Sequence, residues 1–352
     1  MPRLRTAILF LFPVLVGHVF MPVAFLMRLW DTTGQDRVTW LAALLVAGTY
    51  VAFLYLAGAW SWFGSLVRHL IPAVLLATVW MSYLRTNPDA TPISFLSLEF
   101  LLSLSIAAVL AVFTGMARRA RNAPAPGLDL RFPLRGGTFH VGQGGASAIV
   151  NHHFAHPSQR YALDIVKLYR SGVRALGLYP GEPDQFAIWE AEVVSPCEGV
   201  VREVVDGLPD HAPPARDPGH PAGNHIVLDC DGATVILAHL QEGSICVRRG
   251  DSVQAGQMLG RVGNSGNTTE PHLHVHAERG GSGIPMRFDG RFLVRNDVVR
   301  VRVGVTVGIP AKRGSERVLS PEVPMVGDSA MRPAVGVASR REMDADCPCV
   351  YR

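Results

Sequence analysis

The residues most suited to chemistry lie in one stretch, 262–276, which reads V-G-N-S-G-N-T-T-E-P-H-L-H-V-H. Its end alternates polar and apolar side chains, as a half-buried strand does. Side chains two apart on a strand share a face, about 7 Å from one another. His272 and His274 therefore point one way, and Leu273 and Val275 point to the apolar side. Two imidazoles side by side on a rigid strand suit metal chemistry: one can bind the ion, and its neighbour can act on what the ion activates. His276 shares the face but lies about 7 Å beyond His274, which places it outside the expected ligand set. Pro271 fixes the entry to the strand, and a turn at 263–266 folds the chain back before it.

The elements that must position this stretch are short. Runs at 191–195, 199–205, 224–229, 234–239, 257–262 and 272–276 have strand character and are separated by Gly, Pro and Asn turns. That rhythm predicts a mostly antiparallel β-domain. Between residues 206 and 224 lies a long loop rich in Pro, Gly and His, the kind that often walls a site. His211 and His220 within it are read as solvated. The run G-D-S-V-Q-A-G-Q (250–257) is read as structural, with glycine where the backbone needs positive φ. No lysine sits at the tip that a swinging-arm carrier would need.

The first third has a different character. Apolar runs cover 7–27, 40–59, 66–84 and 95–116, each near the ~20 residues that cross a bilayer. Trp30, Trp40, Trp60 and Trp62 sit near their ends, as interfacial aromatics do. The expected organisation is a membrane domain of about four helices over 1–121, a linker over 122–133, a β-domain over 134–300 and a disordered tail over 309–352. The expected fold class is thus an N-terminal α-helical transmembrane bundle plus a mostly antiparallel β-domain. Arg3, Arg5, Arg118, Arg119 and Arg121 flank the bundle, against Arg28, Arg37 and Arg85 in the loops. With four spans, the positive-inside rule puts both ends in the cytoplasm.

Composition excludes some classes. The chain has 352 residues and a net charge of only +4, too small and too dispersed to indicate a nucleic-acid partner. There are five cysteines, Cys197, Cys230, Cys246, Cys347 and Cys349, with no zinc-ribbon spacing. Pairing among the first three is possible, but buried free thiols are the expectation. Cys347-Pro-Cys349 is read as a pair of ordinary tail thiols.

With these residues in view, the β-half resembles the lysostaphin-type (LytM-like) zinc metallopeptidases, which mostly cut peptide cross-links of bacterial cell walls. The resemblance rests on E-P-H-L-H-V-H (270–276), L-A-H-L (237–240), V-R-R-G-D-S-V-Q-A-G-Q-M-L-G-R-V-G-N-S-G-N (247–267) and S-P-C-E-G-V-V (195–201). It covers roughly residues 134–278. It implies a lysostaphin-like fold with a duplicated hybrid motif and one Zn²⁺ per chain. It also implies His274 as a metal ligand, with His239 and His272 as catalytic imidazoles. The family's remaining ligands are a His and an Asp four residues later. Here Asp164, in Q-R-Y-A-L-D-I-V, fits the Asp, but Arg160 stands four residues before it. The upstream run Asn151-His152-His153-Phe154-Ala155-His156 is similar to a branch with an insertion between the two ligands. On that likeness His153 is chosen, with His152 and His156 open. If the run is extended, His152 and His153 point to opposite faces and one of them binds.

A donor set of two His and one Asp gives a site of net charge +1, in which zinc would acidify water and polarise a carbonyl. The two further imidazoles would carry the proton, since no acidic general base of the H-E-x-x-H kind is present. The implied function is a membrane-anchored zinc endopeptidase acting on peptidoglycan peptides. Its expected location is the inner membrane, multi-pass, with the peptidase domain extracytoplasmic, against the charge pattern. Lipid is the expected surroundings of the bundle, and a regulatory membrane partner is left open. Two rivals remain: an inactive docking module of the same fold, and a phosphocarrier-like cytoplasmic domain using paired histidines.

Overall fold

The computed structural model describes residues 9, 11–32 and 35–302; the expected tail and Cys347-Pro-Cys349 lie outside them. Among the described residues, four helices are long and apolar enough to cross a membrane: α1 (Leu11–Trp30), α2 (Arg37–Ala57), α3 (Ser65–Tyr83) and α4 (Leu98–Arg119). Three of them, α2, α3 and α4, begin at residues suited to starting a helix. Asp36 caps α2 by accepting from the amides of Val38 and Thr39 at 2.8 and 3.0 Å, and Ser97 accepts from Phe100 N at the start of α4. These side-chain oxygens satisfy donors that the first helical turn leaves unpaired. Before α3, Gly64 adopts φ +86°, open to glycine at little cost. The helices pack through small residues such as Ala43 and Ala47. Leu66, Leu70, Leu76, Trp80, Leu101 and Val112 remain exposed, an apolar exterior that fits lipid rather than water.

The β-domain is built on one large, wholly antiparallel path. Its strands are β1 (Gly137–Gln143), β2 (Leu163–Leu168), β3 (Gly199–Val205), β4 (Asn224–Cys230), β5 (Ala233–Leu240), β6 (Ser252–Val253), β7 (Leu273–Arg279) and β8 (Val298–Val301). They lie in the order β8-β1-β2-β7-β5-β4-β3-β6. The expected strands at 191–195 and 257–262 appear as Glu192–Val194 and Met258–Arg261, paired with each other outside this sheet. Residues 128–130, inside the stretch read as linker, form a strand parallel to Met286–Phe288. One face of the large sheet closes the core, where Phe139, Ile165, Ile226, Leu237, Leu273 and Val275 are fully buried. Burying such side chains contributes roughly 1.5–3 kcal/mol each and fixes the sheet's register. The expected free thiols are corrected: Cys197 and Cys230, 33 residues apart, form a disulfide with a Cα–Cα distance of 6.0 Å.

The bundle and the β-domain meet closely. The Asn296 side-chain amide donates to the carbonyls of Leu56 and Gly58, both at 3.0 Å. Arg174 N donates to Ser61 O at 3.0 Å, and the Arg174 guanidinium lies 3.7 Å over the Trp62 ring. Arg121, just past α4, pairs with Asp297. The turn joining α2 and α3 therefore packs against the domain that carries the histidines.

Candidate metal centre

Three adjacent strands, β2, β7 and β5, carry the candidate residues. His274 lies directly across from Asp164 on β2 and from Ala238 on β5. Directly opposed residues share a face, so Asp164 and His274 project together. Asp164 Oδ1 is 3.0 Å from His274 Nδ1 and 3.5 Å from His272 Nε2. Both carboxylate oxygens are 3.0 Å from His153 Nε2. Asp164 thus contacts both of the other expected ligands, His153 and His274. The donor atoms of His152, His153 and Asp164 lie within 4.8 Å of one another.

The approach of His153 differs from the extended run considered above. His152–Ala155 form a 3₁₀ turn, capped by the Asn151 side chain on His153 N. The turn puts the two imidazoles on the same side, with ring centroids 3.9 Å apart, instead of on opposite faces. Asn151 is fully buried, and its amide holds the carbonyls of Gly145, Arg160 and Ala162 at 3.2 Å. That anchors the insertion against β2. His156 lies outside the cluster within 4.8 Å.

His239 reaches the site by breaking strand geometry. Strict alternation after Ala238 would send its side chain to the core face with Leu237 and Leu273. Instead its backbone adopts φ +64°, a left-handed conformation costing about 1–2 kcal/mol. This turns the imidazole to within 4.8 Å of His272 and 5.9 Å of His274, centroid to centroid. Backbone bonds on both sides hold the kink: His239 N donates to Ala222 O, and Gly263 N donates to His239 O.

The orientation of the imidazoles follows from their backbone partners. His239 Nδ1 donates to Ser265 O at 2.9 Å, and His272 Nδ1 donates to Glu270 O at 2.9 Å. Each therefore presents an Nε2 lone pair to the cleft. The Glu270 loop is itself clamped, because the buried Arg174 guanidinium grips the Glu270 carboxylate through Nε and Nη2 at 2.7–3.1 Å. His276, expected to be outside the ligand set, lies behind His274, with its Nδ1 3.0 Å from His274 Nε2. It fixes the rotation of that ring, a supporting role that strand spacing alone does not reveal.

Charge follows geometry. Burial pushes the Asp164 carboxyl up, but the imidazoles of His153 and His272, with hydrogen bonds from His153 and His274, hold it well below the usual carboxylate range. Burial pushes His153 down, yet the Asp164 carboxylate outweighs this and raises it. Burial, aided by His272 and His274, holds His239 well below its ordinary value, so it is a neutral base near pH 7. Burial likewise pushes His276 down to about 3.

A cleft of about 450 Å³ opens over these groups. Arg216 from the 206–224 loop lines one part, and Ala59, Ser61 and Trp62 from the turn between α2 and α3 line another. The loop was expected to form a wall; the contribution of the helical bundle was not. His220 is turned outward onto Asp217 at 2.7 Å.

Residues 184–285 match the model of peptidase family M23. The match includes His239, His272 and His274 and begins after His153 and Asp164. A 56-residue stretch is 43% identical to the peptidoglycan DD-endopeptidase ShyA of Vibrio cholerae, covering 16% of this chain and only 13% of ShyA. Among solved structures, the chain is similar to a zinc-containing peptidase from Vibrio cholerae at 21% identity and a TM-score of 0.22, covering 35% of this chain and 48% of that one. It is also similar to the M23 metalloprotease pseudoalterin at 16% identity and a TM-score of 0.30, covering 49% and 98%.

Proposed function

We propose that the M23 peptidase domain carried by this chain is a zinc-dependent endopeptidase, held at a membrane by the four helices, that hydrolyses peptide bonds of peptidoglycan. The observation that carries this reading is that Asp164 touches His153, His272 and His274 while His153, Asp164, His239 and His272 line one cleft. Two imidazole nitrogens and a carboxylate oxygen suit zinc, and a carboxylate held ionised among imidazoles is the state a cation needs. His152 stands close enough to compete with His153. When bound, zinc supplies a Lewis acid that polarises the scissile carbonyl and acidifies water.

The chain's own residues do the rest. His239 and His272, each locked in one tautomer by a backbone carbonyl, take the proton from the attacking water and return it to the leaving amine. In between they donate to the oxygen on which negative charge develops. Arg174 and Glu270 keep His272 in place, and Trp62 covers the Arg174 guanidinium.

An extracytoplasmic domain is part of the proposal. Four spans put the α2–α3 turn and the β-domain on one side, consistent with their contacts. The Cys197–Cys230 disulfide favours an oxidising compartment. The distribution of arginines around the spans opposes this placement.

The test is zinc content and hydrolysis of purified peptidoglycan by the full chain in detergent. One zinc per chain, lost together with activity in His153→Ala, supports the proposal. A wild-type protein without zinc would favour a docking role. Zinc retained in His153→Ala would move the ligand to His152.

A further inference from the structure

The cleft continues past the metal centre along the same sheet face. His140 on β1 lies across from Val166, which is two residues beyond Asp164 and on its face. The far end of the cavity is lined by His140, Arg295 and Asn296, and closed by Ala59 and Ser61. Unpartnered polar groups collect there. His140 is 4% exposed and Asn296 3%; the Asn296 side chain interacts with the His140 ring, yet neither ring nitrogen of His140 nor Asn296 Oδ1 makes a well-formed hydrogen bond. Behind them, Arg68 reaches Asn296 O with Nη1 at 3.1 Å and leaves its buried Nε unpartnered.

Charge collects there too. The Arg295 guanidinium makes one weak hydrogen bond, Nε to Gly58 O at 3.4 Å. Among the described residues, no carboxylate lies within 4.0 Å of Arg295 or of Arg68. The carboxylate that acts on Arg295 from a distance is Asp164, already engaged by His153 and His274. Arg68 is matched at a distance by Asp297, but a guanidinium whose own distant carboxylate is already engaged, beside an imidazole without a well-formed hydrogen bond, is costly to maintain. A planar anion would satisfy both the guanidinium fork and an imidazole N–H.

We propose that this end of the cleft is a carboxylate subsite, in which Arg295 and His140 bind a carboxylate of the peptide substrate while the bundle's Gly58–Ser61 turn closes the pocket over it. The identity of the ligand as a peptide rests on the endopeptidase reading; the anion preference rests on the groups in the pocket. The membrane domain then does more than anchor, because its α2–α3 turn completes the binding cleft. Arg295 is the specificity residue, and Arg68 holds Asn296 in place from the helix side.

The experiment is equilibrium binding by calorimetry to the full chain in detergent. The probes are acetyl-tetra-alanine with a free C-terminal carboxylate and the same peptide as its C-terminal amide. The wild type is expected to bind the carboxylate form at least ten-fold more tightly. Arg295→Gln should reduce that preference below about three-fold, and Arg295→Lys should restore part of it. Equal binding of the two peptides by the wild type overturns the subsite, and this comparison requires no variant to fold. A preference undiminished in folded Arg295→Gln also overturns it. So does Arg295-dependent binding of inorganic phosphate without any preference between the peptides. Preference without any hydrolysis of peptidoglycan would keep the subsite and remove the endopeptidase; hydrolysis without preference would do the reverse.

Discussion

Asp164 and His274 face each other across neighbouring antiparallel strands, with Oδ1 of one 3.0 Å from Nδ1 of the other. Their alignment is a property of sheet register, so neither depends on a loop to find its partner. Asp164→Ala and His274→Ala are each expected to abolish stoichiometric zinc in the purified protein. His276→Ala should instead weaken zinc by about 10–100-fold, since it removes the group that orients the His274 ring. Chelator competition measures all three; an unchanged affinity in His276→Ala would show that the His274–His276 contact does not support the metal.

His239 stands apart from the ligands. It is buried at the cleft wall, neutral near pH 7, and tied through Nδ1 to Ser265 O. His239→Ala is expected to keep one zinc per chain and lower kcat by about 10²–10⁴-fold, the range of a general base. Metal analysis and turnover on the same preparation check this. Full turnover would remove His239 from the proton-transfer pair.

Much of this site was legible in the sequence because β-structure has a period of two. The H-L-H strand and the four apolar runs all sit within a few residues of their expected places. What was not legible depends on contacts between distant segments. The kink at His239 defies the alternation that places His272 and His274, and it depends on Ala222 and Gly263. The tautomers are set by the backbone carbonyls of Ser265 and Glu270, which no side-chain motif announces. The 3₁₀ turn at His152–Ala155 replaces an extended run because buried Asn151 ties it down. The Trp60–Trp62 segment reads as an interfacial anchor, yet it also lines the cleft. The Cys197–Cys230 disulfide bridges 33 residues and becomes visible only once β3 and β4 pair.

The turn that orients His239 is itself held by two glycines. Gly266 has φ +84° and a backbone pressed on Gly223; a Cβ there would lie 2.4 Å from Gly223 N. Gly266→Ala is expected to cost about 2–4 kcal/mol, from left-handed strain plus the steric push on a neighbouring backbone. It should also lower kcat by displacing Ser265. Urea unfolding measures the first effect; wild-type stability in the variant would mean that the turn yields freely.

A buried imidazole outside the metal centre sets an acid limit. Burial, then the charges of Arg295 and Arg68, push His140 down to about 3, whereas in the unfolded chain it titrates near its ordinary 6.5. Between those values the unfolded chain binds a proton that the folded one does not. Stability is therefore full above about pH 6.5 and falls progressively as the pH drops towards 3. The loss from this one group is at most about 5 kcal/mol, because each unit of difference is worth about 1.4 kcal/mol. His140→Gln removes the titration, so its stability should fall less steeply with acid than that of the wild type. Unfolding by urea at intervals from pH 7 to pH 4 makes the comparison, and parallel curves for the two proteins would show that His140 is protonated in the folded state.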